Sequence, residues 1–297
     1  MDSSRQFLRQ SLGLIRRRKE LAWFCMWCAG IGCLFLWDEI FLNAPAFDRV
    51  RAALFNTLVS GAGAVFLSLV LGWASGAAFF LLEQRRARYS FALLSLVANA
   101  IRSLPQVVLV LVGYVLLNQL ILAEIIRSET AQLAWVTVTV SVAVFLEVSD
   151  TIRSRLEYFR SLEFIDAMLC CGISESRIIH REILWRNSRE HLLHKLIALF
   201  GVAIFLQCSV DFIVSVGLST NVSLSNVPLT LGSLLASVDS KQDILALSNL
   251  FSDPAYITEI VVRHLQGVSA AFCIVFTLVC FFMIANGYAR SRRLNGP

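Results

Sequence analysis

The sequence predicts an all-α polytopic membrane protein with six transmembrane helices, and three observations carry that prediction. The 297 residues are 57% hydrophobic and only 16% charged, with a mean hydropathy of +0.69, whereas a soluble domain carries about a quarter charged residues. Several apolar runs reach the about 20 residues that an α-helix needs to cross the hydrocarbon core. Lysine and arginine gather between alternate runs, as they do in segments retained in the cytoplasm. The net charge of +5 is therefore spread along membrane edges, which points to lipid headgroups as partners and away from nucleic acid.

Residues 1–20 form a basic tail, MDSSRQFLRQSLGLIRRRKE. No convincing small-residue cleavage site follows, so the next apolar run is expected to remain as an uncleaved first span at 21–37, with an external linker up to residue 53. The second span, 54–82, is rich in Gly and Ala. Its Gly72 and Gly76 form a G-x-x-x-G, which lets helix backbones approach, and Gly61 and Gly63 extend the small-residue pattern. The third span, 91–121, carries Pro105. A proline removes one backbone hydrogen bond, so a kink is expected there, either beside a pathway or as a plain packing bend. Both of these spans exceed a simple crossing, which predicts tilt, breaks or extramembrane turns. The fourth, fifth and sixth spans occupy 131–149, 192–217 and 264–289.

With the N-terminus placed in the cytoplasm, 20 of the 26 basic residues fall inside, and both termini and residues 150–191 are cytoplasmic. Residues 218–262 become an external loop, and 291–297 a cytoplasmic C-terminal tail.

Residues 163–185 read EFIDAMLCCGISESRIIHREILW. Helical spacing puts Phe164, Ala167 and Cys171 on one face, with Leu169 nearby. Glu163 and Asp166 stand near the start of this first helix, where acidic groups suit the helix dipole. Gly172 permits a left-handed turn. Ser174 is expected to cap a second, basic-faced helix from about 175 to 184 that carries Arg177 and Arg181. The result is a helix, a turn and a helix, amphipathic and exposed.

No catalytic set accompanies it. His180, His191, His194 and His264 are scattered, and none forms an H-E-x-x-H. Cys25 and Cys28 form a C-x-x-C inside an apolar run without a second ligand pair, which reads as packing rather than metal or redox chemistry. No phosphate-cradling glycine loop exists, so nucleotide hydrolysis cannot come from this chain. Ionisable groups at membrane depth are costly, and two stand out. Asp211 either lines a pathway or serves as a cap or inter-subunit partner. Glu147 is expected to meet water or a basic neighbour such as Arg153. Asn99, Gln106 and Gln207 read as helix-packing hydrogen bonders more than substrate contacts.

The 163–185 stretch resembles the cytoplasmic signature of binding-protein-dependent transport permeases, the type I ABC importers. In that signature Glu-Ala-Ala is followed by three residues, a glycine, nine residues and a hydrophobic-x-Leu-Pro ending. Here Asp166, Ala167 and Met168 take the first three places, Gly172 the glycine and Leu184 the leucine. Asp166 replaces Glu, Met168 the second Ala, Glu182 the hydrophobic residue and Trp185 the proline. The order of features resembles most the second permease of dipeptide and oligopeptide importers. Asn56-Thr57-Leu58 stands where that family's core opens, so the core is taken as 54–290. Gly217 and Gly232-Ser233-Leu234-Leu235 stand where the family's stretch after the fifth span carries its glycines.

The resemblance implies a type I importer permease fold in a bacterial inner membrane. It implies a coupling segment, Glu163 to Leu184, that docks on partner ATPases, with Glu163, Asp166, Ala167, Met168, Gly172, Ser174, Arg177, Arg181 and Leu184 as its residues. ATP and magnesium would belong to those ATPases, and no cofactor to this chain. Further implied partners are a homologous second permease and a periplasmic or extracellular solute-binding protein above the 218–262 loop. Pro105, Gln106, Asp211 and Gly217 are the candidate pathway residues. A peptide is the expected cargo. Methionine, phosphonate and nickel permeases share much of this plan, and a stand-alone channel or scaffold is the rival from another class. For the 163–185 stretch, the alternative is an amphipathic hairpin resting on headgroups.

Overall fold

The computed structural model describes residues 19–217, 228–237, 252–258 and 265–294. Residues 1–18 of the basic tail, most of the expected external loop and the last three residues lie outside the described residues. Among the described residues there is no β-strand. The elements are α1 (Lys19–Phe41), α2 (Ala44–Gln84), α3 (Arg88–Ser103), α4 (Gln106–Leu122), α5 (Glu129–Ser161), α6 (Phe164–Cys170), α7 (Glu175–Arg177), a π-helix π1 (Ile178–Asn187), α8 (Arg189–Gly217), α9 (Leu231–Ser237) and α10 (Leu265–Leu294). A 3₁₀ turn, Pro254–Tyr256, lies before the last helix.

Five of these helices are long and apolar enough to cross a membrane, or six if α3 and α4, bent by 95° at their break, make one span. The protein is thus an all-α polytopic membrane protein. The break falls where Pro105 predicts it. Leu104 is extended at ψ 133°, as a proline favours in the residue before it, and Pro105 holds its ring-fixed φ of −56° and is extended at ψ 134°.

The 41 residues of α2 give a rod of about 60 Å at 1.5 Å per residue, twice the hydrocarbon thickness. It runs unbroken through residue 54, so the expected boundary between linker and core is interior to a helix. The cause is local: residues 44–53 contain no helix breaker after Pro45, and a proline is tolerated in a first turn.

The middle of α2 is packed with small residues inside and large apolar ones outside. On α2, Ala53, Thr57, Ala64 and Ser68 are fully buried, while Phe55 and Phe66 are exposed. Lipid tails solvate the large side chains as well as a protein core would, so close backbone approach decides the packing.

The chain forms two compact units, one of residues 1–59 and 207–297 and the other of residues 60–206. In the first, α1 lies along α10. Trp27 Nε1 donates to Thr277 Oγ1 at 3.0 Å, and Ser269 Oγ to Asp38 Oδ1 at 2.6 Å. Gly30 gives the room, since a Cβ there would sit 2.3 Å from the Phe276 ring. The first span is therefore packed on the last one.

In the second unit, Gly72 and Gly76 bring α2 onto α5. A Cβ on Gly72 would lie 2.6 Å from Val148 Cβ, and one on Gly76 2.9 Å from the Ser149 carbonyl oxygen. The G-x-x-x-G read from the sequence is this contact. A set of charged pairs runs along another side of α5. Lys195 Nζ donates to Glu147 Oε2 at 2.6 Å, Arg102 pairs with Asp150, and Arg153 reaches Glu83 at 3.0 Å and Glu157 at 2.7 Å. The basic neighbour of Glu147 is thus Lys195 and not Arg153, which lies six residues further along α5 and faces the end of α2.

Candidate functional site

The 163–187 segment leaves α5 through a sharp corner. Glu163 holds a left-handed φ of 54° at the start of α6, a conformation that costs a non-glycine residue energy and persists where surrounding structure enforces it. The seven residues of α6 follow, then Gly172 at φ +77°. The glycine's left-handed turn is the one the sequence predicts.

Ser174 occupies the position before the next helix with an extended backbone, but its side chain makes no capping hydrogen bond. The expected α-helix over 175–184 is one short turn, α7, followed by the 10-residue π1. The apolar spacing explains the change. Ile178 pairs with Ile183 and Ile179 with Leu184, each five residues apart, and all four are fully buried. An i→i+5 winding puts residues five apart on one face, whereas α-winding would splay them.

Leu184 is thus an anchor inside this chain and not part of a docking surface. Arg177 and Arg181 are exposed on the other side, and Glu182 pairs with Arg186 at 3.4 Å.

The buried side of α6 is also different from the expected face. Ile165 is buried and Met168 half-buried, while Ala167 and Cys171 are exposed. The corner at Glu163 rotates α6 relative to a simple continuation of α5. Glu163, Asp166 and Ala167 instead line an open groove of about 620 Å³ with Phe159, Leu162 and Cys170. Its lining combines apolar side chains with two carboxylates. Such a groove can take an apolar side chain flanked by a cation.

Two links tie the segment to long helices. Arg155 Nε donates to Ser188 Oγ at 3.3 Å. Trp73 Nε1 donates to His180 Nδ1 at 2.8 Å, with the two rings 14° from parallel. Sequence reasoning left His180 among scattered histidines. The available signal was Trp73 itself, a hydrogen-bond donor between the two glycines of the G-x-x-x-G.

The candidate pathway residues separate into two places. Gln106 sits at the start of α4 beside the exposed Pro105 and donates from Nε2 to Glu147 Oε1 at 2.9 Å. Glu147 thereby takes both Gln106 and Lys195. Asp211 is 1% exposed and accepts from Thr230 Oγ1. Around it, Thr57 Oγ1 accepts from Leu231 N at 3.0 Å, and Asn56 Nδ2 donates to the Leu229 carbonyl at 2.9 Å. A Cβ on Gly232 would sit 2.4 Å from the Cys208 carbonyl oxygen. Asn56-Thr57 therefore meets Leu229 and Leu231, just before the Gly232-Ser233 mark of the sequence, across 173 and 174 residues, with Asp211 as part of the clasp. Gly217 is the last residue of α8, and the segment after it lies outside the described residues.

Gln207 is fully buried, and neither amide atom has a hydrogen-bond partner among the described residues. Asn99 is exposed on α3. Among the described residues, no group of three or more His, Cys, Asp and Glu side chains is placed to hold a metal ion.

No protein-family model matches the chain, and no curated protein matches it.

Proposed function

We propose that the chain is the permease subunit of an ATP-driven importer, of the type I binding-protein-dependent class, with a peptide as its cargo. The observation that carries the reading is the 163–187 segment. It joins two long apolar helices and presents a short exposed helix ending at left-handed Gly172. Four fully buried side chains of π1 fasten it to the chain's own interior. A segment exposed at one end and rigidly rooted at the other can take up a push from outside and pass it on.

In this reading six spans cross a bacterial inner membrane with both termini in the cytoplasm. A homologous permease completes the cavity. Two ATPase subunits bind beneath and hydrolyse ATP with magnesium, and a solute-binding protein docks above. ATP-driven closure of the ATPases moves the segments together and opens the cavity outward.

The test is reconstitution of the complex in proteoliposomes with uptake of labelled oligopeptides. ATP-driven uptake is expected from the wild-type chain. Gly172→Pro and Asp166→Arg are expected to insert normally, bind ATPase weakly and lose uptake. Normal uptake in both variants, or purification with no nucleotide-binding partner, overturns the reading.

A further inference from the structure

We propose that Trp73 and His180 are positioning residues that convert displacement of the 163–187 segment into movement of α2. The inference rests on the importer reading above and names the link through which its motion would pass.

The apolar contact of π1 is made by Ile178, Ile179, Ile183 and Leu184, all fully buried, and burial as such has no preferred direction. A hydrogen bond is directional and weakens steeply when distance or angle changes. The Trp73–His180 bond, 2.8 Å long and spanning 107 residues of sequence, is such a contact between π1 and α2. The near-parallel rings, with centroids 6.2 Å apart, limit rotation of His180 about it. Acceptance at Nδ1 fixes the imidazole proton on Nε2, so the ring has one orientation that suits the indole.

On α2, Trp73 lies directly beside Gly72, and both Gly72 and Gly76 press their backbone on α5 at Val148 and Ser149. At that level α2 has no slack against α5. A displacement received at His180 is therefore delivered to α2 where it is most tightly held, rather than lost in side-chain relaxation.

The experiment uses the full importer complex in proteoliposomes and reads uptake per ATP hydrolysed. Trp73→Phe keeps the ring and removes the donor. His180→Phe removes the acceptor, and His180→Asn supplies an amide oxygen near the place of Nδ1. Trp73→Phe and His180→Phe are expected to lower uptake per ATP about tenfold, with ATPase binding and hydrolysis within about twofold of wild type. His180→Asn is expected to restore most of the ratio, which a role in stability alone would not predict.

A wild-type ratio in Trp73→Phe and His180→Phe overturns the inference. So does a parallel fall of hydrolysis and uptake, which would mark a folding contact. A wild-type complex without ATP-driven uptake overturns the importer reading, and this inference with it.

Discussion

Lys195 Nζ lies 2.6 Å from Glu147 Oε2, and the pair joins α8 to α5 at the level where α3 breaks into α4. Both side chains are about one-third exposed, at 32% and 34%. Their attraction is therefore screened, and a coupling on the order of 1 kcal/mol is expected. Lys195→Met alone should destabilise the chain more than the double variant Lys195→Met with Glu147→Gln, because the single change leaves a half-buried carboxylate with Gln106 and no cation. Thermal unfolding in detergent across the double-mutant cycle measures this. Single-variant effects that sum to the effect of the double variant would show that the pair carries no net interaction.

The two glycine environments on the long helices predict opposite signs. Gly72→Ala drives a Cβ to 2.6 Å from Val148 Cβ and 2.9 Å from the Phe145 carbonyl oxygen. A backbone atom cannot step aside, so a loss of about 1–3 kcal/mol is expected. Gly201→Ala meets nothing within 4 Å and should be neutral or stabilise by about 0.5–1 kcal/mol. Unfolding midpoints of the two variants, measured side by side, decide the matter.

Asp211 is buried in the clasp with Thr230. In a background stripped of its native cysteines, Asp211→Cys should resist a membrane-impermeant thiol reagent from either side. A cysteine in place of the half-buried Gln106 should react. Rapid labelling at 211 would return that residue to the pathway.

Gly172 has open space around it but a φ of +77°. Substitution there should cost only backbone strain, about 1–2 kcal/mol for a β-carbon residue. Gly172→Asn is expected to be tolerated and Gly172→Val to loosen the 163–187 segment. Hydrogen exchange of that segment is the readout, with no change expected in the long helices.

Much of this was legible from residue spacing. The apolar runs located the long helices, Pro105 located the break, and the glycine pair located the contact of α2 with α5. Gly172 announced its own backbone. What stayed hidden depended on direction rather than composition. The face of α6 is set by the corner at Glu163, a residue with no special propensity for left-handed backbone. The π winding follows from apolar residues five apart, a pattern that the usual three- and four-residue spacing conceals. The partner of Glu147 was missed because Arg153 is near in sequence, while Lys195 is near in space. The clasp at Asp211 joins motifs that no local pattern connects.

The winding of Ile178–Asn187 has a consequence for length variation. Its hydrogen bonds reach one residue further than in an α-helix, so each turn holds surplus chain. Deleting one residue there would release the surplus instead of shortening the element. The residues on either side of the deletion would keep their bearings, because the wider turn is what absorbs the extra residue. A homologue lacking one residue in this stretch would present its groove unchanged, with a tighter winding behind it.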